Sequence, residues 1–288
     1  MSNDPSLALA PRIIDQTVEQ LTAAIPAERR NLFILGLGYT GQYIATALTA
    51  CGWRVGGTSR NAETRERLSA AGLETIAFGD AIPDSYDQLL STIGPDREDG
   101  HDPALTTYGP AMLDRRFRWT GYFSATSVYG DSGDDWIEQT TDPAPETERG
   151  QKRLVIEQAW QGLMQPAGLP LSLFRLAGIY GPERNIITQL QTGKAKVVDK
   201  PGHVFNRIHV EDITRAVLYR IANPAPLTID NLADGQPMTQ AAWVARAADM
   251  LNITAPAAIP FEQAKAKMSP MARSFWAERK LIRAPKFG

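Results

Sequence analysis

The sequence predicts an α/β protein with a doubly wound parallel sheet and a small lobe at its carboxyl-terminal end. From residue 31, short β-rich runs alternate with helical runs, a glycine-rich turn joins the first such pair, and the alternation loosens after residue 181. Strands alternating with helices form parallel sheets covered on both faces, because the crossovers are right-handed. The length of 288 residues fits roughly two units, or one large α/β unit with an appendage.

The composition indicates an ordinary globular protein and excludes several other classes. Apolar residues make up 43% of the chain, charged residues make up 22%, and the net charge is −2. These values do not fit a disordered or fibrous chain, and without a basic excess we expect neither a nucleic-acid partner nor membrane binding. Cys51 is the single cysteine, so the sequence predicts no internal disulfide, and no spacing of ligand residues indicates a metal site.

The same features predict a cytoplasmic location. Asp4 and Pro5 stand where a secretory signal would carry basic residues followed by an apolar run. No run approaches the roughly 18 apolar residues that a membrane-spanning helix needs. A reducing compartment also suits a chain with one cysteine.

Residues 1–30 are predicted to form a helical N-terminal extension. Four apolar residues recur there at helical spacing: Ile13, Ile14, Val18 and Leu21. Pro26 then ends the segment before the first strand. We expect a short helix that packs on the main domain.

Residues 31–181 are predicted to form a dinucleotide-binding domain, with six strands in the order 3-2-1-4-5-6. The predicted strands are 31–36, 53–59, 73–78, 88–93, 121–126 and 170–176. The predicted helices of this domain are 40–52, 61–72, 103–116 and 149–163. Residues 182–288 are predicted to form the C-terminal lobe, with helices at 185–192, 211–222 and 239–251.

A glycine motif follows the first strand and opens the first helix of this domain. Gly36 permits the sharp turn, Gly38 lets the backbone approach a diphosphate, and Gly41 allows close packing of helix on strand. The diphosphate would rest on the amino end of the helix at Tyr39 and Thr40, where peptide N–H groups and the helix dipole favour negative charge. The alternative is a glycine-rich turn that binds no ligand.

The end of the second strand predicts NADP in preference to NAD. An NAD site usually places a carboxylate there, whereas this chain has Ser59 and Arg60, which suit a 2′-phosphate. Arg60 is alternatively a solvated residue at the start of a helix. Asp80, just after the third strand, is placed to reach the adenine or to cap the next turn.

Three later motifs complete a pattern that resembles a known superfamily. They are Ser124-Ala-Thr-Ser-Val-Tyr-Gly-Asp131, Arg175-Leu-Ala-Gly-Ile-Tyr-Gly-Pro182 and Arg207-Ile-His-Val-Glu-Asp212. Together with the glycine motif, they resemble the extended short-chain dehydrogenase/reductases of the NAD-dependent epimerase/dehydratase type. The resemblance covers roughly residues 31–235 and implies a Rossmann fold, a nicotinamide cofactor and a C-terminal substrate lobe. Related folds often pair through a helix bundle, so a homodimer is possible.

The resemblance also implies a Ser-Tyr-Lys catalytic set, and this chain replaces all three residues. Ala125 stands in the serine place, Arg149 in the tyrosine place and Arg153 in the lysine place. A guanidinium is a permanent cation and does not shuttle protons at neutral pH. The chain therefore resembles the atypical members, which keep the cofactor site without most of the catalytic residues.

Four hydroxyl groups are weak candidates to substitute for the missing catalytic groups. Ser124 and Thr126 flank the empty serine position and are placed to orient a carbonyl group. Tyr129 and Tyr180 carry phenols, although the first of these is mostly structural in the family.

Five arginines belong to segments that the fold brings toward the carboxyl ends of the strands. They are Arg149, Arg153, Arg175, Arg184 and Arg207. We expect several of them to converge on the phosphate or carboxylate of a small-molecule ligand. The alternative is that most are solvated or are paired with Glu148, Glu157, Glu183 and Asp212.

Two functions follow from these patterns. The first is an NADP-dependent oxidoreductase or epimerase-like enzyme with a non-standard active site, which the retained substrate-lobe motifs favour. The second is a non-catalytic protein that senses NADP(H) or uses it to control an interaction, which the missing tyrosine and lysine favour.

Overall fold

A computed structural model describes residues 16–96, 98–285 and 287 of the chain. The strands are β1 Asn31–Leu35, β2 Arg54–Thr58, β3 Glu74–Ile76, β4 Gln88–Ser91, β5 Trp119–Ala125, β6 Trp136–Ile137, β7 Leu171–Leu176, β8 Gly178–Tyr180, β9 Val197–Asp199, β10 Arg207–His209, β11 Leu227–Leu232, β12 Ala258–Pro260 and β13 Leu281–Ile282. The α-helices are α1 Val18–Ala23, α2 Tyr39–Ala50, α3 Ala62–Ala70, α4 Pro103–Arg115, α5 Glu148–Met164, α6 Ile186–Gln191, α7 Val210–Ala222, α8 Gln240–Met250, α9 Phe261–Lys265 and α10 Pro270–Ser274.

A seven-stranded parallel sheet with the order β3-β2-β1-β4-β5-β7-β11 is the centre of the molecule. Its first six strands lie in the predicted order, so the doubly wound α/β fold is confirmed. The chain reverses direction across the sheet between β1 and β4, where Phe33 lies opposite Leu89. In open α/β sheets, ligands bind outside the carboxyl ends of the strands at such a switch point.

The strands fold this way because both faces of the sheet are covered. Every residue of β1 from Leu32 to Leu35 is fully buried. Leu32 and Ile34 join one apolar cluster, and Phe33 and Leu35 join the other. Since successive side chains of a strand point to opposite faces, this division marks two cores on either side of one sheet.

Helix α1 covers part of the first core, and the helical N-terminal extension over residues 1–30 stays a prediction. Val18 and Leu21 are buried, and the helix packs against α7. Thr17 caps it, since its side chain accepts the N–H of Gln20. The other two apolar positions of the predicted helix, Ile13 and Ile14, lie outside the described residues.

Strand β11 is an addition that the sequence did not predict. Leu227 to Leu232 pair in parallel with β7, which extends the sheet by one strand. Asp230 and Asn231 interrupt its apolar pattern, yet both are fully buried. Arg220 pairs with Asp230, and Asn231 accepts a hydrogen bond from Tyr129, so the polar groups are satisfied within the core.

The residues after 181 therefore belong to two different parts of the molecule. Helix α7 and strand β11 extend the sheet and its cover, whereas α6, α8 and the short β9–β12 pair form a separate apolar cluster. The predicted domain boundary at residues 181 and 182 stays a prediction. Among the described residues, no helix combines the length and apolar character that crossing a bilayer requires.

The C-terminal segment returns to the carboxyl end of the sheet. Strand β13 pairs in parallel with β6, and Trp276 lies buried among aromatic rings. The rings of His203, Phe205 and Phe261 lie 4.8–5.4 Å from the Trp276 ring. These contacts hold residues 270–282 beside the ends of the central strands.

Candidate functional site

The glycine turn between β1 and α2 has the geometry that the sequence predicted. Gly36 has a φ of +93°, and a Cβ there would lie 2.7 Å from Ile93 Cγ1. A Cβ at Gly41 would lie 2.6 Å from the carbonyl oxygen of Gly36. Gly38 differs, because no atom lies within 4 Å of the position of its Cβ. The first and third glycines are thus needed for packing, and the second borders open space.

The amino end of α2 lacks the side-chain cap that other helices have. Gly38 is its N-cap residue and makes no side-chain hydrogen bond. Every other described helix of eight or more residues has a side-chain cap, which is Asn61, Asp102, Thr147, His209 or Thr239. The positive end of the α2 dipole therefore faces the cleft without an acceptor from its own cap residue.

The residues predicted to bind the adenosine half, Ser59, Arg60 and Asp80, follow strands β2 and β3, which lie on one side of β1 in the sheet. Thr58 at the end of β2 accepts the N–H of Gly36 at 2.9 Å, which ties the strand to the glycine turn. Ser59 is half-buried and Arg60 is exposed. The Asp80 carboxylate accepts the N–H of Ala77 at 3.1 Å and closes a turn. Contacts of these groups with a nucleotide stay predictions.

A cavity of about 470 Å³, called the main cavity here, opens next to the amino end of α2. Gly38, Tyr39 and Thr40 line one side, and the residues that follow β4, β5 and β7 line the floor. The predicted site residues that it brings together are Gly38, Tyr39, Thr40, Ser124, Thr126, Arg149, Arg153 and Arg184.

Two arginines of α5 give the main cavity its charge. The Arg149 guanidinium lies 4.0 Å over the Phe275 ring, and its Nε is buried without a hydrogen-bond partner among the described residues. Burial and the nearby Arg153 charge lower the pKa of Arg149. Arg153 donates from Nη1 to the Tyr122 hydroxyl at 2.7 Å and to the Phe123 carbonyl at 3.1 Å.

Neither of these arginines pairs with a carboxylate within the described part of the chain. The same holds for Arg184, whose guanidinium lies 5.4 Å from the centre of the Tyr39 ring. Each of the thirteen ion pairs found there involves other cations. Three guanidinium groups around one cavity without carboxylate partners favour an anionic ligand.

The structure does not bring Arg175 and Arg207 to the main cavity. Arg175 on β7 is 3% exposed and forms a buried ion pair with Glu157 of α5, with Nη2 2.7 Å from Oε2. Arg207 packs its guanidinium 4.5 Å from the Trp243 ring, and burial lowers its pKa to about 10. Pairing with an acid such as Glu157 was the alternative to ligand binding that the sequence left open for these arginines.

The two candidate tyrosines also lie away from the main cavity. Tyr129 is 1% exposed, accepts a hydrogen bond from Arg175 and donates to Asn231, and burial raises its pKa. Tyr180 is buried with its ring against those of His209 and Trp243. Neither phenol lines the cavity.

Ser124 is the hydroxyl candidate that the geometry supports most. It is the last residue but one of β5 and lies at the cavity floor. It is 3% exposed, yet its Oγ has no hydrogen-bond partner among the described residues. A buried hydroxyl without a hydrogen-bond partner costs free energy, so a polar ligand atom would supply the missing hydrogen bond. Ala125 and Thr126 line the cavity beside it.

Sequence reasoning missed two charged residues of the cavity wall, Glu278 and Lys280. The Glu278 carboxylate accepts the N–H groups of Glu146 and Thr147, each at 3.1 Å, and pairs with the Lys280 ammonium. Both residues line the main cavity although they lie more than 100 positions after Arg149 and Arg153, the α5 residues of its lining. No local motif marks them, because only the pairing of β13 with β6 brings their segment there.

A second cavity, called the side cavity here, adjoins the first and has a volume of about 920 Å³. Both cavities share Gly94, Ser127, Arg149, Arg153 and Ser274. The cations of the side cavity are Arg149, Lys152, Arg153, Lys200, Lys265 and Arg273. Its acids are Asp96 and Glu148, so it carries a positive excess in a chain of net charge −2.

The described residues contain no cluster of three or more His, Cys, Asp or Glu side chains that could hold a metal ion.

Comparison with known proteins identifies relatives among the solved structures and among the curated proteins. A functionally unknown conserved protein from Silicibacter pomeroyi DSS is 40% identical in sequence, with a TM-score of 0.80 over 88% of this chain and 89% of that chain. Protein YeeZ of Escherichia coli (strain K12) is 27% identical over 214 residues, which are 68% of this chain and 74% of YeeZ. No protein-family model matches the chain.

More distant solved structures share the fold. The dTDP-glucose 4,6-dehydratase of Bacillus anthracis str. Ames, solved in complex with NAD, is 12% identical over 80% of this chain and 84% of that chain, with a TM-score of 0.68. The UDP-glucose 4-epimerase of Thermotoga maritima, solved with UDP-glucose, is 14% identical over 88% and 90%, with a TM-score of 0.69. The expected resemblance to the extended short-chain dehydrogenase/reductase type is confirmed in the fold.

Proposed function

Because the chain belongs to one family with the conserved protein from Silicibacter pomeroyi and has the fold of the NAD-dependent epimerases and dehydratases, we propose that it binds a nicotinamide dinucleotide. NADP is preferred to NAD, and the main cavity takes a small anionic substrate beside the cofactor. The reaction is an oxidation, reduction or epimerisation carried out with non-standard residues.

The observation that carries this proposal is the uncapped amino end of α2 facing open space at Gly38. A diphosphate fits there, because peptide N–H groups and the helix dipole stabilise an anion and no Cβ blocks its approach. The N–H groups of Tyr39 and Thr40 would hold the diphosphate, whereas the N–H of Gly38 donates to the carbonyl oxygen of Gly36 at 2.9 Å. The bound cofactor would supply a hydride acceptor or donor, and the chain's own residues would bind and orient the substrate.

The preference for NADP rests on the groups that follow β2. Arg60 is exposed, and Ser59 beside it presents a small hydroxyl rather than a carboxylate. A guanidinium suits a 2′-phosphate, while a carboxylate in this place would accept the ribose hydroxyl of NAD and repel that phosphate.

An Arg60→Ala substitution is expected to weaken NADPH binding about tenfold, because it removes one charge-assisted contact worth about 1.4 kcal/mol. NADH binding should stay unchanged, and fluorescence titration with both nucleotides measures the difference. Arg246→Ala, an exposed arginine on α8, is the matched control. An equal loss for both nucleotides would remove the argument for the 2′-phosphate.

The anionic substrate is supported by the arginines of the main cavity. Arg149 is the strongest of them, because its Nε is buried without a partner and like charge from Arg153 adds to the cost of burying it. A carboxylate or phosphate placed between the two guanidinium groups offsets both costs. Ser124 lies on the same floor and would donate to a carbonyl or hydroxyl oxygen of the substrate.

An Arg149→Met substitution is expected to abolish the binding of inorganic phosphate to the NADPH-saturated protein. The free energy of unfolding should change little, since the substitution removes a buried guanidinium that forms no ion pair among the described residues but also removes its attraction to the Glu278 carboxylate. Thermal melting with and without millimolar phosphate measures both effects. Phosphate should still stabilise the Arg246→Met control. Stabilisation by phosphate that is retained in Arg149→Met would contradict the assignment.

A non-catalytic sensor of NADP(H) is the second candidate, and one observation favours it. Ala125, Arg149 and Arg153 stand where the superfamily has its catalytic set, and neither Tyr129 nor Tyr180 reaches the cavity to compensate. Turnover of any substrate by protein that binds NADPH favours the enzyme. Tight nucleotide binding without turnover of carbonyl compounds or nucleotide-sugars favours the sensor.

Two further proposals concern the setting of the protein. A cytoplasmic location is supported by the single cysteine, which suits a reducing compartment. A homodimer is supported by the frequency of pairing in related folds. Size-exclusion chromatography with light scattering measures the latter.

A further inference from the structure

We propose that the ammonium group of Lys280, held in the wall of the main cavity by Glu278, is the proton donor of the reaction. This inference rests on the proposed function, since it concerns the reduction of a carbonyl compound by a nicotinamide dinucleotide in that cavity. It assigns the role of the missing tyrosine to a residue that lies more than 100 positions after Arg149, which stands in the tyrosine place.

The titratable groups that line the main cavity leave few choices for a proton donor. Arg149, Arg153 and Arg184 hold their protons too strongly to shuttle them at neutral pH. The Tyr39 hydroxyl donates to the carbonyl oxygen of Pro182 at 2.9 Å. The Glu278 carboxylate accepts hydrogen bonds from Lys280 and from two backbone N–H groups, so it serves as an acceptor. Lys280 remains, because an amine exchanges its proton far more readily than a guanidinium does.

Lys280 is positioned by contacts on both sides. Its ammonium donates to Glu278, whose carboxylate is itself fixed by the N–H groups of Glu146 and Thr147 at 3.1 Å each. Its carbonyl oxygen accepts the Asn206 side-chain amide at 2.9 Å. A catalytic group needs this fixed geometry, which a lysine on a mobile loop would lack.

The surroundings of Lys280 also favour release of its proton. The side chain is 11% exposed. Burial and the positive charge of Arg149 lower the pKa of Lys280, while Glu278 and Asp131 oppose this change. His203, the other titratable neighbour, has a pKa lowered to about 4 by burial and by nearby lysines, so it is neutral at pH 7 and does not compete as an acid.

The proton balance of the step is simple. The carbonyl carbon accepts a hydride from the reduced dinucleotide, which loses two electrons, and a new C–H bond forms. The electron pair of the carbonyl π bond takes a proton from Lys280 Nζ, so an O–H bond forms and an N–H bond breaks. The neutral amine then recovers a proton from solvent. Oxidation of an alcohol runs these steps in reverse, with the neutral amine as the base.

The first test measures the titration of Lys280 without any substrate. Competitive acetylation with acetic anhydride at a series of pH values, read by mass spectrometry, gives the pKa of each lysine in the NADPH-bound protein. We expect Lys280 to react and to titrate at lower pH than the exposed Lys196. Glu278→Gln should move this titration to still lower pH, because it removes the negative charge that favours the ammonium form.

The second test separates proton donation from structural support. Phenylglyoxylate and 4-carboxybenzaldehyde, which combine a carbonyl with the carboxylate that the arginines favour, serve as probes with NADPH. Lys280→Arg keeps the positive charge and the pairing with Glu278 but removes the exchangeable acid, so kcat should fall about 100-fold or more. Lys280→Met should lose as much, and Lys196→Arg should keep the wild-type rate.

The outcomes distinguish this inference from the proposed function. Absence of NADPH binding by the wild type would overturn the proposed function and the inference with it. Three results would each overturn the inference alone when NADPH still binds. They are full activity in Lys280→Arg, no reduction of either probe, and a Lys280 that titrates like Lys196. A falling limb of the pH–rate profile that moves to lower pH in Glu278→Gln would support it.

Discussion

A Gly38→Asp substitution is expected to abolish dinucleotide binding without destabilising the fold. Gly38 has an extended backbone with φ of −80°, and no atom lies within 4 Å of the position of its Cβ, so an aspartate side chain fits. Its carboxylate would cap α2 and place a negative charge where the diphosphate binds. We expect a loss of affinity of about 100-fold or more, which corresponds to about 2.7 kcal/mol.

The free energy of unfolding should stay equal or rise by a few tenths of a kcal/mol, because aspartate is a slightly better N-cap than glycine. Fluorescence titration with NADPH and urea denaturation measure the two quantities in the same preparation. Gly162→Asp is the matched control, since Gly162 lies exposed on α5 with equal space around it. Unchanged NADPH affinity in Gly38→Asp would place the nucleotide elsewhere.

An Arg175→Met substitution is expected to lower the free energy of unfolding by about 3–5 kcal/mol. It leaves the Glu157 carboxylate fully buried without its cation, and it removes a hydrogen bond to the Tyr129 hydroxyl. The cost arises from an uncompensated buried charge, so it does not depend on any ligand. Urea denaturation at pH 7 measures it.

The double variant Arg175→Met/Glu157→Met should regain much of that loss, because it removes both charges and leaves apolar side chains of similar length. NADPH affinity should be unchanged in every variant that remains folded, since Arg175 does not line the main cavity. A loss below about 1 kcal/mol in the single variant would mean that the ion pair is not formed as described.

The sheet was predictable from the sequence where burial and pattern agree. Strands β1 to β5 and β7 alternate with helical runs, and the helices between them begin and end within a few residues of their predicted positions. Strand β11 was not predictable, because Asp230 and Asn231 interrupt the apolar run that marks a buried strand. Their partners, Arg220 and Tyr129, are brought close only by the completed fold.

The site was predictable to the extent that its residues lie at the ends of strands. The glycine turn, Ser124 and the two arginines of α5 lie around the main cavity because the motif places each beside the carboxyl end of the sheet. Arg175 is also on such a strand, but strand alternation turns it toward α5 and Glu157. The position of a residue along a strand predicts whether the residue lies near the carboxyl end of the sheet. The face of the sheet to which its side chain points depends on the register of the strand.

Glu278 and Lys280 show what local patterns do not reveal. They reach the cavity because β13 pairs with β6 and because the Glu278 carboxylate binds the backbone at the start of α5. Both contacts join residues more than 130 positions apart, and neither has a periodicity or a motif. Such tertiary contacts become visible only in the structure.

The most direct test of the nucleotide site is a crystal structure of the protein grown with saturating NADPH. We expect a diphosphate within hydrogen-bond distance of the N–H groups of Tyr39 and Thr40, with the 2′-phosphate toward Arg60 and the nicotinamide in the main cavity. A diphosphate bound elsewhere, or a glycine turn that stays empty at saturating nucleotide, would contradict it.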